Sequence, residues 1–575
     1  MEPRRRRFLA PALEIFRQER RLLLDTLLLG VIGALAAQAF TYLLRLAQFV
    51  FLATGAPGAS GALFEWIGAH GPWVIPASTT LGGLLSGILV YTLAPEAEGH
   101  GTDTVVTAFH RAGGAIRARV APLKMIASAI TIGSGGAAGR EGPTALIAAG
   151  IGSTYASLTH RPQADRRLLG LIGMAAGLAA VFRSPIGTAL FAVEVLYSGM
   201  EFEASALLYT MIASVVAYAV NGLFAGWTPL FAVPANLPTP TVLGSLWYVV
   251  LGIAAGVVGG ILPAVFYGIR DLFRALPVPP MLKPAIGGLG VGLIALRLPQ
   301  VLGGGYGWIQ MAIDGKIAVA LLGVLVAAKI VALALTVSSG GSGGVFAPSL
   351  FVGAMLGGVL AGVLHAPVAP LVIVGMAAVF GAAARVPLAT LLMVTEMTGG
   401  YRLLAPAALA VMLSFVVQEI VTARSRYASL YEGQVPRESD SPAHQADYLT
   451  IAMRLLQQRG TRVPESFGHL RLQALLSAGI PIDLPEGKQL LLRTVEAGSA
   501  AAGKTLEWLM LQMTGRELEI AAIFRTQHTL LAHDDLALEP NDRMLIIASL
   551  ETAAEIAPLL AAPETAKAKP AEATP

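Results

Sequence analysis

The sequence predicts an all-α polytopic membrane protein of two homologous halves, with many broken and re-entrant helices, followed by a small α+β domain. Three observations predict it. Of 575 residues, 55% are hydrophobic and only 13% charged, about half the charged share of a soluble domain. Residues 330–384 contain no Asp, Glu, Lys or Arg, which is room for two or more passes of roughly 20 residues each. The chain also repeats itself. Residues 174–195, MAAGLAAVFRSPIGTALFAVEV, align without gaps on residues 376–397, MAAVFGAAARVPLATLLMVTEM; upstream, SGGAAGREGP at 134–143 aligns on SGGSGGVFAP at 339–348. Such a composition excludes a disordered chain, which needs low hydrophobicity and high net charge. The absence of cysteine excludes thiol chemistry and a disulfide scaffold.

Residues 1–24 form a basic end, with seven arginines before position 22, among them the run Arg4–Arg7. Such a cluster is expected to stay on the cytoplasmic side, and no small-residue cleavage site follows a short apolar stretch.

Residues 25–431 form the membrane body. Long apolar stretches at 22–53, 72–94, 205–224, 242–267, 317–337 and 403–421 are candidate spans, and 121–132, 144–158, 186–197, 348–364 and 388–397 are too short to be good ones. Short helices broken by Gly, Pro and Ser are tolerated in a bilayer only where protein or a water-filled cavity satisfies the backbone. With an internal repeat, they place a binding site at the repeat interface. The two halves read as roughly 100–225 and 300–425. Gly287–Gly292, GGLGVG, lies inside an apolar run and reads as helix packing rather than nucleotide binding.

Net charge divides with the chain. The body carries 27 basic and 17 acidic residues, the segment from Glu432 onward 13 basic and 19 acidic. The basic excess therefore sits in the membrane part, where it reads as topology or as an anion-attracting field, and no nucleic acid is implied.

Each half contains a Gly/Ser loop, a proline (Pro143, Pro348) and an apolar helix. Proline suits a first helical turn, and free N–H groups with the positive dipole end make a helix start an anion site. Two such starts meeting in the membrane would cradle one anion without a formal positive charge. Small residues also serve close helix packing. Glu141, in the first loop, is a carboxylate at membrane depth and thus a functional candidate; at a helix start it can occupy the place of an anion and leave on protonation. A serine-protease reading of Gly340–Gly343, GGSG, would pair Ser342 with His365, but nothing in the sequence brings the two together, and no enzyme is predicted.

The loop GREGP at 139–143, GVFAP at 344–348 and GHGTD at 99–103 together resemble the CLC family of chloride channels and chloride/proton exchangers, over roughly 25–431. The resemblance implies an inverted repeat, a homodimer with one pore per subunit in the cell membrane, cytoplasmic termini, and chloride or a related anion as transported ligand, with no cofactor. It implies that Glu141 is the gate. It implies that His100, Gly101, Thr102, Arg140, Gly142, Val345 and Phe346 bind the anion, and that Tyr427 holds it from the inner side, with Tyr431 nearby. Two departures stand out. His100 replaces the usual serine of the first loop, which bears on anion choice. Val195 replaces the internal proton-accepting glutamate, so transport is expected to be channel-like or weakly proton-coupled; in the alternative, an exchanger, Glu194, Glu201 or Glu203 takes the proton. Glu194 and its repeat mate Glu396 read as structural hydrogen-bonding groups.

Residues 432–489 are a polar linker with helical signals at 446–458 and 469–478. Residues 490–562 alternate as strands do, at 520–525 and 543–548; with VEAGS at 495–499, GKTL at 503–506 and LEPNDR at 538–543 they resemble the TrkA-C (RCK-C) module of potassium-transport regulators, which implies a dimerising domain able to bind a small ligand. Residues 563–575 have a disordered composition.

Overall fold

The computed structural model describes residues 2–52, 65, 68–234, 242–444, 481–483, 487–525, 528–530 and 535–562. The expected linker helices at 446–458 and 469–478 and the terminal 563–575 lie outside the described residues. The chain forms two compact units, residues 1–437 and 438–575.

The first unit is a helical bundle. Its first half contains α1 (Glu2–Leu52), α2 (Val74–Leu93), α3 (Thr102–Arg111), α4 (Val120–Gly133), α5 (Glu141–Leu158), α6 (Gln163–Phe182), α7 (Pro185–Glu194) and α8 (Ala204–Ala225). The second contains α9 (Val242–Ala275), α10 (Lys283–Ala295), α11 (Tyr306–Ile313), α12 (Val319–Val337), α13 (Phe346–Leu364), α14 (Val368–Ala384), α15 (Pro387–Thr398) and α16 (Leu404–Thr422). Seven helices among the described residues are long and apolar enough to cross a membrane. Side chains such as Tyr42 and Leu223 stand exposed on them, as lipid-facing residues do.

The halves match helix for helix, each element with the one eight places later, so the repeat is longer than the sequence reading of 100–225 and 300–425. The 3₁₀ turns Pro95–Ala97 and Pro299–Val301 correspond. Backbone conformations that L-residues rarely adopt recur in pairs: His160 (φ 52°) with His365 (φ 51°), Arg183 (φ 54°) with Arg385 (φ 56°), and Gly101 (φ 86°) with Gly305 (φ 83°). Within each half, helices approach through glycine. A Cβ at Gly152 would stand 2.1 Å from the Leu169 carbonyl, joining α5 to α6, and one at Gly357 2.1 Å from the Leu371 carbonyl, joining α13 to α14. Gly288 and Gly292 of the GGLGVG run similarly bring α10 against Thr79 and Pro76 of α2.

The second unit contains a five-stranded antiparallel sheet in the order β1-β2-β5-β3-β4. The strands are β1 (Ile482–Asp483), β2 (Lys488–Thr494), β3 (Leu518–Arg525), β4 (His528–Leu530) and β5 (Arg543–Ser549), with helices α17 (Leu506–Gln512) and α18 (Leu550–Leu560). Its core joins Leu491, Ile523 and Ile546 to Leu509 and Ile556 of the helices. Asp542 is buried and receives the Arg525 guanidinium through Nε (2.9 Å) and a second nitrogen (2.7 Å). These hydrogen bonds raise the Arg525 pKa above the ordinary guanidinium value and fix the turn before β5.

Candidate anion-transport site

The two Gly/Ser loops meet. Gly139 and Gly344 form an antiparallel bridge, each N–H donating to the other's carbonyl at 2.7 Å. This juxtaposes the starts of α5 and α13, whose first N–H groups have no helical partner. The first-half loop at 99–101 is laced to the same point. The Gly343 N–H donates to the Gly99 carbonyl (3.1 Å), and Ser342 Oγ donates to the Ala97 carbonyl (2.9 Å) and shares a hydrogen bond with Ser128 (2.8 Å). Side chains would not fit here: a Cβ at Gly142 would lie 2.2 Å from the His100 carbonyl and 3.0 Å from the Cα of Gly344.

Glu141, the first residue of α5, has a fully buried side chain. Its Oε1 accepts from the Tyr306 hydroxyl. Its Oε2 lies over Gly139, where a Cβ would be 2.1 Å away, and faces the Ala347 amide of α13 without reaching hydrogen-bond geometry. The carboxyl thus lies at the start of α13 as well as at the start of its own helix. Arg140 stacks over the Tyr306 ring at 5.8 Å and lines a cavity of about 360 Å³ with Arg45, Gln48 and Gln310. Val345 and Phe346, the cap and first residue of α13, are buried; the Phe346 ring packs on Phe182 (4.4 Å) and Phe380 (3.9 Å), leaving its backbone to face the loops.

His100 and Thr102 are buried at the start of α3. The Asp103 N–H makes a long 3.5 Å contact with His100 Nδ1, and the imidazole ring meets the Tyr431 ring edge-on at 5.3 Å. The Tyr431 side chain also lies against Thr102. Tyr427, expected at this place, is elsewhere: its hydroxyl donates to Asp271 Oδ2 (3.0 Å) and accepts from Arg270 (3.2 Å), and its ring stacks on Tyr267. The structure therefore brings Tyr431, not Tyr427, to the first loop. The charged cluster of Arg270, Asp271 and Glu432 claims the hydroxyl of Tyr427, four residues upstream of Tyr431.

Val195 is buried at the end of α7. Glu194 accepts from the Leu388 (3.1 Å) and Ala389 (2.6 Å) amides of α15, whereas Glu396 accepts from Ser184 Oγ (2.5 Å) and the Ile186 (3.2 Å) and Gly187 (2.9 Å) amides of α7. Glu203 is buried and accepts from Tyr197 (2.8 Å) and Ser205 (2.7 Å); Glu201 is half-buried in the same turn.

Sequence reasoning missed Tyr306, Lys124 and Lys329. Lys124 is buried and donates to the Ala97 (2.9 Å) and Gly99 (2.6 Å) carbonyls; Lys329, 205 positions on, is buried and donates to the Val301 (2.7 Å) and Gly303 (2.6 Å) carbonyls. The signal was available, since this spacing equals that of the glycine loops. His365 closes the far end of α13, about 28 Å of helix beyond its start, so it cannot serve Ser342 as a base.

Helix starts of two repeats facing one another, with a buried carboxyl between them, define a membrane protein for small anions. The family model described as voltage gated chloride channel matches residues 82–419, and the chain belongs to that family, the CLC proteins. It is 30% identical to the voltage-gated ClC-type chloride channel ClcB of Salmonella dublin, over 72% of this chain and 98% of that one. It is 29% identical to the H(+)/Cl(-) exchange transporter ClcA of Cronobacter sakazakii, over 68% and 90%. Among solved structures, a CLC-type fluoride/proton antiporter matches with a TM-score of 0.63 at 24% identity, over 73% of this chain and 99% of that one. A slow cyanobacterial Cl-/H+ antiporter matches with a TM-score of 0.63 at 22% identity, over 71% and 96%. CLC proteins are transporters and channels, and this chain is a multi-pass membrane protein for anion transport.

Proposed function

We propose that the protein passes chloride or a related small anion between the starts of α3, α5 and α13, and that Glu141 gates the passage. The observation that carries this is the position of the Glu141 carboxyl, which faces the Ala347 amide at the α13 start. There the carboxylate competes with the anion, and its protonation frees the place. The Val345 and Phe346 amides, Gly101, Thr102 and the His100 ring then surround the anion, with the Tyr431 hydroxyl on the opposite side. Backbone dipoles bind weakly enough to let go, as conduction requires.

With Val195 in place of an internal acid, the passage is channel-like or weakly proton-coupled. Relatives bear names of both kinds. The one observation favouring a coupled exchanger is the buried carboxyl of Glu203, close to Val195 in the chain and hydrogen-bonded to Tyr197. We further propose a homodimer in the cell membrane with cytoplasmic termini, and a TrkA-C-like role for the second unit in dimerisation and small-ligand binding.

Chloride and proton fluxes measured together in liposomes test the reading. E141Q should remove the pH dependence of chloride flux, and protons should not be driven stoichiometrically by a chloride gradient. Stoichiometric uphill proton movement would establish the exchanger, and E203Q should then abolish it. Wild-type pH dependence in E141Q would refute the gate.

A further inference from the structure

The repeat pairs the loop at 99–102 with the loop at 303–306. Gly99 corresponds to Gly303, Gly101 to Gly305 and Thr102 to Tyr306, and a buried lysine grips each loop by two carbonyls. In the first half this device presents the head of α3 to the site. In the second half it presents the head of α11, and the residue there is a tyrosine whose hydroxyl reaches the Glu141 carboxyl.

We infer that Tyr306 is a positioning residue that holds the charged Glu141 carboxyl between the helix starts and so sets the proton concentration at which the passage opens. The inference rests on the gating reading of Glu141.

Three features make Tyr306 a fixed donor. Lys329 ties the carbonyls of Val301 and Gly303, and its ammonium lies 4.9 Å from the Phe351 ring. Gly305 has φ 83°, and a Cβ there would stand 2.5 Å from the Phe351 ring, so the turn before Tyr306 requires glycine. The Tyr306 ring is flanked by Phe231 at 5.9 Å and covered by Arg140 at 5.8 Å. The groups facing the Glu141 carboxyl are Tyr306 from α11, Arg140 at the head of its own helix, the backbone at Ala347 from α13, and Tyr431 from the segment after α16. Of these, Tyr306 makes the side-chain hydrogen bond and bears no charge of its own. A phenol donating to a carboxylate favours the charged form over the neutral one.

The sign follows. The charged carboxyl closes the passage and protonation opens it. Without the hydroxyl, protonation needs less acid, so the rise of flux with falling pH begins at higher pH. Loss of a charge-assisted hydrogen bond of ordinary strength moves such a midpoint by about one pH unit.

The test compares chloride flux from liposomes between pH 4 and pH 8 for the full chain, Y306F, E141Q and E141Q/Y306F. Y306F keeps the ring and its packing. The expected result is a midpoint shifted upward by about one unit in Y306F, and a double variant that matches E141Q at every pH. A Y306F midpoint equal to wild type, while E141Q is pH-independent, overturns the role of Tyr306 and leaves the gate standing. A change in the double variant relative to E141Q also overturns it, because the hydroxyl would then act elsewhere. Wild-type pH dependence in E141Q overturns the gate and the inference together.

Discussion

Glu194 and Glu396 cap each other's repeats. Glu194, at the end of α7, accepts the first amides of α15, and Glu396, near the end of α15, accepts the first amides of α7. Two helices whose ends bind each other's starts run antiparallel, so this pair shows directly that the repeat is inverted. It also gives the buried Glu194 carboxyl two donors and the half-buried Glu396 carboxyl three, as carboxyls withdrawn from water need.

The caps should therefore matter more to stability than to transport chemistry. Replacing either glutamate with alanine should cost about 2–3 kcal/mol, the range for hydrogen bonds to a charged group whose partners stay buried. Thermal melts of detergent-solubilised protein, followed by size-exclusion, check this. The pH profile of whatever flux remains should be unchanged.

Gly139 sits under the Glu141 carboxyl, with room for no side chain: a Cβ there would be 2.1 Å from Oε2. Gly139→Ala should therefore expel the carboxyl from the helix starts. Flux of this variant should resemble that of E141Q, with weak pH dependence. A wild-type profile would mean that the carboxyl does not need its observed position to gate.

Lys124 and Lys329 perform one task twice, and their removal should be equally costly. Lys124→Met and Lys329→Met each leave two carbonyls without their donor, a loss of about 2–4 kcal/mol at about 1–2 kcal/mol per group. Melting temperatures of the two variants should fall together. Their effects on transport should differ, because one loop carries His100 and the other Tyr306.

Tyr427 and Tyr431 should separate cleanly. Tyr431→Phe removes the hydroxyl beside His100 and Thr102 and should change anion affinity or selectivity, read from chloride-binding calorimetry and from flux in mixed anions. Tyr427→Phe removes the hydroxyl from the Asp271 and Arg270 cluster and should cost about 1 kcal/mol of stability with selectivity intact.

Much of this protein was determined by the sequence alone. Low charge and an apolar register of helix lengths specify a membrane bundle, because lipid tolerates little else. The repeats at 134–143 and 339–348 already mark the paired loops, where a Cβ at Gly344 would stand 2.8 Å from the Gly142 amide nitrogen and one at Gly139 3.0 Å from the Ala347 Cβ. The strands near 520–525 and 543–548 were legible from alternation and appear as Leu518–Arg525 and Arg543–Ser549. The tertiary structure decided what spacing cannot encode. It set Tyr431, not Tyr427, beside His100, because a cluster of Arg270, Asp271 and Glu432 takes the Tyr427 hydroxyl. It brought Tyr306 to Glu141 across 165 residues. A buried carboxyl is completed by whichever donor the fold places against it, and that donor comes from the other half of the repeat.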